Sequence, residues 1–289
     1  MDPGDLELTA VLENQADSYR AQGRLDDAQP LYQRSLEIRQ QRLGPRDPQL
    51  LGLLKNLALI AFTRGNFPEA LDFQQQTLMI VENLHGPKHP EVIEGLSNLG
   101  VIQAAAGHYV KAEAPLQRSR ELAEQVLGPE SPQVAADLAH LAEISRSRFH
   151  YAAAEALLER SLAIREKLSQ QQGPAFATTL NNLAEIYRNQ SEYAEAEQLF
   201  RRSLAVWEKA AGPEHPETAV SLYNLAVVYA EQQRFQDAEP LLQRSLQILE
   251  RRLGPEHPKT AEIAAAYAAV RKSMAAVKGS QAQLAPGRP

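Results

Sequence analysis

The chain has 289 residues, 44% hydrophobic and 6% aromatic, with a formal net charge of −6 and no cysteine. The apolar share suffices for a continuous core. The acidic balance argues against a general nucleic-acid binder, which needs a basic stripe, and the absent thiols exclude disulfides and cysteine-held zinc. The opening MDPGDLELTAVLENQADSYR has no basic segment leading into an apolar one, and no apolar run approaches the length that spans a bilayer. A soluble, cytoplasmic protein without membrane insertion is the expectation.

Asn14, Asn56, Asn98, Asn182 and Asn224 stand 42, 42, 84 and 42 residues apart, and His140 fills the open slot. Two residues after each marker comes a small residue: Ala16, Ala58, Gly100, Ala142, Ala184 or Ala226. Fourteen after each comes Ala28, Ala70, Ala112, Ala154, Ala196 or Ala238. A proline series runs in the same register, Pro48, Pro90, Pro132, Pro174, Pro216 and Pro258. Such a period marks a repeat array in which no single unit buries its apolar face alone.

Each repeat reads as two helices, over about 5–44, 47–86, 89–128, 131–170, 173–212 and 215–254. The opening Asp2-Pro3-Gly4-Asp5 is in register with Gly44-Pro45-Arg46-Asp47, so the array is expected to begin at a repeat boundary with Asp5 as first cap. Later first helices start at the prolines, with Asp47, His89, Ser131, Gly173, His215 and His257 in the N-cap slot. They end near Gly23, Gly65 and Gly107, where a C-terminal glycine is at home, and Phe149, Ser191 and Gln233 take that slot later. Second helices carry an apolar stripe and stop at Gly-Pro in five repeats; the fourth has Leu168-Ser169-Gln170-Gln171-Gln172 instead, which predicts a looser or longer helix end. Pro30, Pro115 and Pro240 fall in the first two turns of second helices and each removes a donor. A lone capping helix is expected over about 258–277, solvated at Arg271 and Lys272, with a disordered tail over 278–289. The two alanine-rich series predict close helix contacts, and Ser35, Thr77, Ser119, Ser161, Ser203 and Ser245 form a third small series expected to face the next repeat.

Leu180-Asn181-Asn182-Leu183-Ala184, then Tyr193-Ala194-Glu195-Ala196-Glu197, with Gly-Pro-Glu-His-Pro at 212–216 and 254–258, resemble the tetratricopeptide repeat in its 42-residue, kinesin-light-chain-like form. The resemblance covers residues 2–277. It implies an all-α, right-handed α-solenoid of six helix pairs plus a C-terminal capping helix, a superhelix with a concave peptide-binding groove lined by the first helices. It identifies a fold sooner than a function. No heptad coiled coil accompanies it, so a repeat protein of bacterial type is expected, not a kinesin subunit.

On a first helix the marker, the residue before it and those three and six or seven later share a face. The candidate groove residues are therefore Asn14; Lys55, Asn56, Leu59 and Phe62; Asn98 and Val101; His140; Asn181, Asn182, Arg188 and Asn189; and Asn224. An amide carries both donors and an acceptor, so a row of them suits the backbone of an extended peptide. Leu59, Phe62 and Val101 would give an apolar floor beside Lys55. The competing reading is that the asparagines bond a neighbouring helix and fix the pitch, and Phe62 reads equally as a core residue of its turn.

His89, His215 and His257 lie in separate repeats and read as caps, not metal ligands. The arginines at 34, 118, 160, 202 and 244 read as solvated or inter-repeat ion-paired surface, and Trp207 as partly buried between repeats. Phosphate loops, His-Glu-x-x-His and Gly-x-Ser-x-Gly are absent, so neither catalysis nor a cofactor is expected. Two functions remain: a non-catalytic scaffold holding an extended segment of a partner protein, or a self-associating assembly module or spacer of a larger signalling or effector protein.

Overall fold

The computed structural model describes residues 4–168 and 172–284. Among them are thirteen α-helices: α1 Gly4–Ala21, α2 Leu25–Leu43, α3 Leu51–Thr63, α4 Phe67–His85, α5 Pro90–Ala105, α6 Tyr109–Val126, α7 Pro132–Ser147, α8 Tyr151–Lys167, α9 Pro174–Asn189, α10 Tyr193–Ala210, α11 Pro216–Glu231, α12 Phe235–Leu253 and α13 Pro258–Leu284. A 3-10 turn, Pro48–Leu50, leads into α3. The fold is an all-α repeat of the solenoid class. No described helix is long and apolar enough to cross a membrane.

The repeat pattern alone reads as one array over 2–277; the chain divides into two compact bodies, Met1–Phe149 and His150–Pro289. In the first, α1 to α7 pack each against the next. Tyr32, Leu50, Leu54, Leu57 and Ile60 form its main core, and Leu78, Val81, Val92 and Leu96 continue it. In the second, α8 to α13 pack in the same serial way around Phe200, Leu222, Leu225, Val228, Ile248, Leu249 and Ile263. Each buried Leu, Ile or Phe contributes about 1.5–3 kcal/mol.

The helix starts follow the expected chemistry. Asp47 Oδ1 accepts from the Gln49 amide at 2.8 Å, and Ser131 Oγ from Val134 at 3.4 Å. His89, His215 and His257 cap through Nδ1, accepting from Glu91, Glu217 and Lys259 at 3.2–3.3 Å. At the ends of the first helices, Gly23, Gly65 and Gly107 have φ of 73°, 73° and 77°, and Phe149, Ser191 and Gln233 adopt the same left-handed conformation at 62°, 63° and 61°. One backbone turn is thus kept in all six repeats, whether or not glycine occupies it.

Four expectations need correcting. Helix α1 begins at Gly4, so Asp5 lies in its first turn, not at its cap. Of the looser or longer end expected for α8, the longer one is not seen, since α8 ends at Lys167, no further along the repeat than its counterparts; the looser one falls on residues 169–171, which lie outside the described residues. Residues 278–284, expected as tail, continue α13; 285–289 lie outside the described residues. The serine series turns mainly towards its own repeat: Ser119, Ser203 and Ser245 lie in bonding reach of the carbonyls of Ile93, Ala177 and Ala219, each 26 residues earlier on the first helix of the same pair, and Ser119 alone of these three also reaches the next repeat, at Asp137. A hydroxyl there satisfies itself on that helix while keeping the side chain small enough for close packing.

Candidate functional site

Ala58, Leu59 and Phe62 on α3 face Glu94, Asn98, Val101 and Ile102 on α5 across a pocket of about 290 Å³, with Gln74 of α4 and Lys55 completing the wall. Helical spacing brings these residues together: Lys55, Leu59 and Phe62 lie three or four apart on α3, and Glu94, Val101 and Ile102 each lie three or four from Asn98 on α5. Leu59 is 53% exposed although it lines an apolar wall. Phe62 has a double role. It borders the pocket and packs edge-on against Phe67, ring centroids 5.8 Å apart. Gln74 is buried, its amide held by the Gly95 carbonyl at 2.9 Å.

The marker asparagines differ from the residues before them. Among the described residues, the side chains of Asn14, Asn56, Asn98, Asn182 and Asn224 make no hydrogen bond within the protein. Asn14 and Asn98 are exposed, Asn56 and Asn182 half-buried, and Asn224 buried. The preceding position is consumed by the fold. Ser97 donates to Asp137 at 2.6 Å, Asn181 to Ser221 at 3.4 Å and Tyr223 to Glu262 at 2.9 Å, each on the next first helix along. Lys55 pairs with Glu91 at 3.3 Å in the same way. Asn181, a groove candidate from sequence, is therefore an inter-repeat tie, and Lys55 reaches the pocket with its charge already engaged.

The remaining candidates are less concentrated. His140 is half-buried on α7. Arg188 and Asn189 close α9, Arg188 half-buried and Asn189 exposed. Tyr223 is bound to α13. Burial, and then the Glu262 carboxylate that accepts its hydroxyl, push its phenol up to about 12, and Lys259 lies over its ring at 4.9 Å.

The second body holds a pocket of about 300 Å³ at the same repeat positions. Ala226, Val227 and Ala230 replace Ala58, Leu59 and Phe62; Leu242 replaces Gln74; Ala266, Ala269 and Val270 replace Asn98, Val101 and Ile102. The repeat backbone thus makes the cavity, and side chains decide its character. Only the first-body version combines large apolar groups with an unsatisfied amide. Sequence reasoning missed Glu94 and Ile102, because its face rule stopped short of the positions four residues either side of Asn98, which also share that face.

Away from the pocket, three arginines of the stripe are ion-paired between repeats, while Arg34 pairs with Glu37 on its own helix. Arg118 meets Glu82, Arg202 meets Glu166 and Arg244 meets Glu208, at 2.7, 2.7 and 2.8 Å. Such exposed pairs contribute about 0–1 kcal/mol each. Trp207 is 6% exposed and stacks on His215 of the following repeat, centroids 6.0 Å apart.

The family model described as tetratricopeptide repeat matches residues 7–81, 50–125, 112–167, 175–250 and 222–275. Among curated proteins, none matches the chain. Several solved structures do. BtubC (BKLC) from P. vanneervenii is 24% identical over 81% of this chain and 94% of its own, with a TM-score of 0.66. A Podosopora anserina putative kinesin light chain is 24% identical over 72% of this chain and 98% of its own, TM-score 0.57. A Rap protein complexed with Competence and Sporulation Factor is 17% identical over 92% of this chain and 75% of its own, TM-score 0.58. The chain belongs to the tetratricopeptide repeat family.

Proposed function

We propose that this member of the tetratricopeptide repeat family is a non-catalytic scaffold that holds an extended segment of a partner protein on its first helices, with a large apolar side chain of that segment seated between α3 and α5. One observation carries the reading: Leu59, Phe62, Val101 and Ile102 line a pocket whose rim holds Asn98, an amide with no hydrogen-bond partner among the described residues. An extended chain has unpaired backbone N–H and C=O groups, and an amide can serve both. Lys55 is neutralised by Glu91, and Glu94 lines the opening, so an apolar anchor suits the site better than an acidic one. The Rap neighbour, captured with Competence and Sporulation Factor, makes ligand capture a use this fold admits.

The test is selection of random unstructured peptides on the purified chain. Recovered peptides should share a large apolar residue, and should bind Leu59→Asp and Asn98→Ala variants at least about tenfold more weakly, the scale of a lost buried anchor or an unmatched backbone bond. Peptides that bind both variants as well as the parent would overturn this site. Light scattering over a concentration range separates it from self-association: concentration-dependent growth abolished by Leu59→Asp would make a second copy the occupant.

A further inference from the structure

We propose that His85, His89 and Glu91 bind a divalent transition-metal ion of the zinc type at the turn joining the second and third repeats. Helix α4 ends at His85, Gly86 turns the chain with φ of 81°, and His89 caps α5 with Glu91 in its first turn. One donor atom from each side chain lies within 4.8 Å of the other two. The two imidazoles stack with centroids 4.1 Å apart and planes inclined by 17°. Glu91 Oε1 lies 3.8 Å from His85 Nε2, while its other oxygen is held by Lys55 Nζ at 3.3 Å. The carboxylate therefore has one oxygen for an ion and one fixed by an outer partner, the arrangement that orients metal ligands.

Two imidazoles and a carboxylate suit zinc, cobalt, nickel or copper, with water completing the shell. Magnesium and calcium prefer all-oxygen shells. On a tetrahedral ion with bonds of about 2.1 Å, two nitrogens stand about 3.4 Å apart, so the cluster must close by about an ångström. His85 can supply that movement: it is the last residue of α4 and its side chain is 33% exposed. His89 must give up its weak cap bond from the Glu91 amide, or shift its proton to Nδ1 and lose the bond that way.

Capping alone accounts for His89 but not for the trio. The other histidine caps, His215 and His257, have Ala211 and Leu253 where this turn has His85. His85 caps nothing; among the described residues its contacts are the His89 ring and the Glu91 carboxylate.

The untagged chain would be titrated with zinc chloride by calorimetry, and with cobalt(II) by visible absorption and histidine-ring NMR. One ion per chain is expected, with cobalt broadening the His85 and His89 ring signals ahead of all other histidines. His85→Ala and His89→Asn should each weaken zinc at least about tenfold; asparagine keeps the cap, so helix α5 is preserved. His215→Asn should change nothing. Zinc binding equal in the parent and the His85→Ala/His89→Asn double variant overturns the proposal, as does cobalt broadening spread evenly over all seven histidines. The ring signals report on the unmodified chain, so a variant that fails to fold does not obscure the answer.

Discussion

The Ser97 hydroxyl donates to Asp137 Oδ1 at 2.6 Å, from the first helix of one repeat to the first helix of the next. Asp137 is fully buried and also takes Gln133 Nε2 at 3.0 Å and the Ser119 hydroxyl at 2.7 Å. Ser119 has one proton for two acceptors, because the Ile93 carbonyl lies 2.9 Å away. The counterparts of Asp137 are Val11, Leu53, Gly95, Thr179, Ser221 and Ile263, so this is the one place in the series that holds a charge.

That charge should give the protein a distinctive pH dependence. Burial pushes the Asp137 carboxyl above its ordinary value of 3.8, more strongly than its hydrogen bonds lower it. A raised carboxyl pKa means that the folded state holds the proton more tightly than the unfolded chain does. Its contribution to stability is therefore largest below 3.8 and is lost as pH rises through the raised folded value. Asp137→Asn removes the ionisation. Its amide oxygen can accept from Ser97 and its NH₂ can donate to Ser119, which frees the Ser119 proton for Ile93. In urea unfolding over a pH series, the variant should gain on the parent as pH rises from the carboxylate range towards neutrality. A difference independent of pH would contradict this account. Asp137→Ala, which strands the buried Ser97 hydroxyl while Ser119 keeps the Ile93 carbonyl, should cost about 1–3 kcal/mol.

The left-handed turn residues make a second test. Ser191 and Gln233 stand at φ of 63° and 61° where earlier repeats have glycine. The left-handed region costs a side-chain-bearing residue about 1–2 kcal/mol, partly offset in glycine by its freer unfolded chain. Ser191→Gly and Gln233→Gly should each raise stability by about 0.5–1 kcal/mol, and Gly65→Ala should lower it by a similar amount. Thermal unfolding of the three variants decides the sign.

The 42-residue register makes the helices, their caps and their turns legible in the sequence itself, because caps and turns are local chemistry fixed by a few neighbouring residues. The pocket is partly legible: Lys55, Leu59, Phe62, Asn98 and Val101 share faces by helical spacing and converge in the fold. Two things are not. Asn181 and Asn182 look equivalent in sequence, yet a rotation of one residue, about 100° around the helix, turns Asn181 into the next repeat and leaves Asn182 half-buried and unbonded. The His85–His89 stack arises at a Gly-Pro turn that five repeats share, but His85 is peculiar to this one, and periodicity is silent about a side chain that does not recur.

Gly100 tests the packing rule itself. Its counterparts are alanines, but a Cβ at Gly100 would sit 2.4 Å from Leu116 Cγ and 3.1 Å from the Ala112 carbonyl. Leu116 is fully buried, so it has little room to withdraw. Gly100→Ala should therefore destabilise by about 1–3 kcal/mol despite the better helix propensity of alanine. Pairing it with Leu116→Ala, which makes space, should recover part of that loss relative to the sum of the single changes. Strict additivity in a double-mutant cycle would show that the contact is not the cause.

Leu59 and Phe62 separate recognition from stability within one pocket. Leu59 is more than half exposed, so Leu59→Ser should alter unfolding by no more than about 0.5 kcal/mol. Phe62 is half-buried and makes the edge-on contact with Phe67, alone worth about 0.5–1.5 kcal/mol. Phe62→Ala should then cost about 2 kcal/mol once its lost burial is added. It should still fold, since Ala230 occupies the same position in the second body. Measured together on selected peptides, Leu59→Ser should reduce affinity at constant unfolding midpoint, while Phe62→Ala reduces both. A Leu59 change that lowers the midpoint as far as Phe62→Ala would make Leu59 a structural residue, and the apolar wall would then belong to the fold and not to a partner.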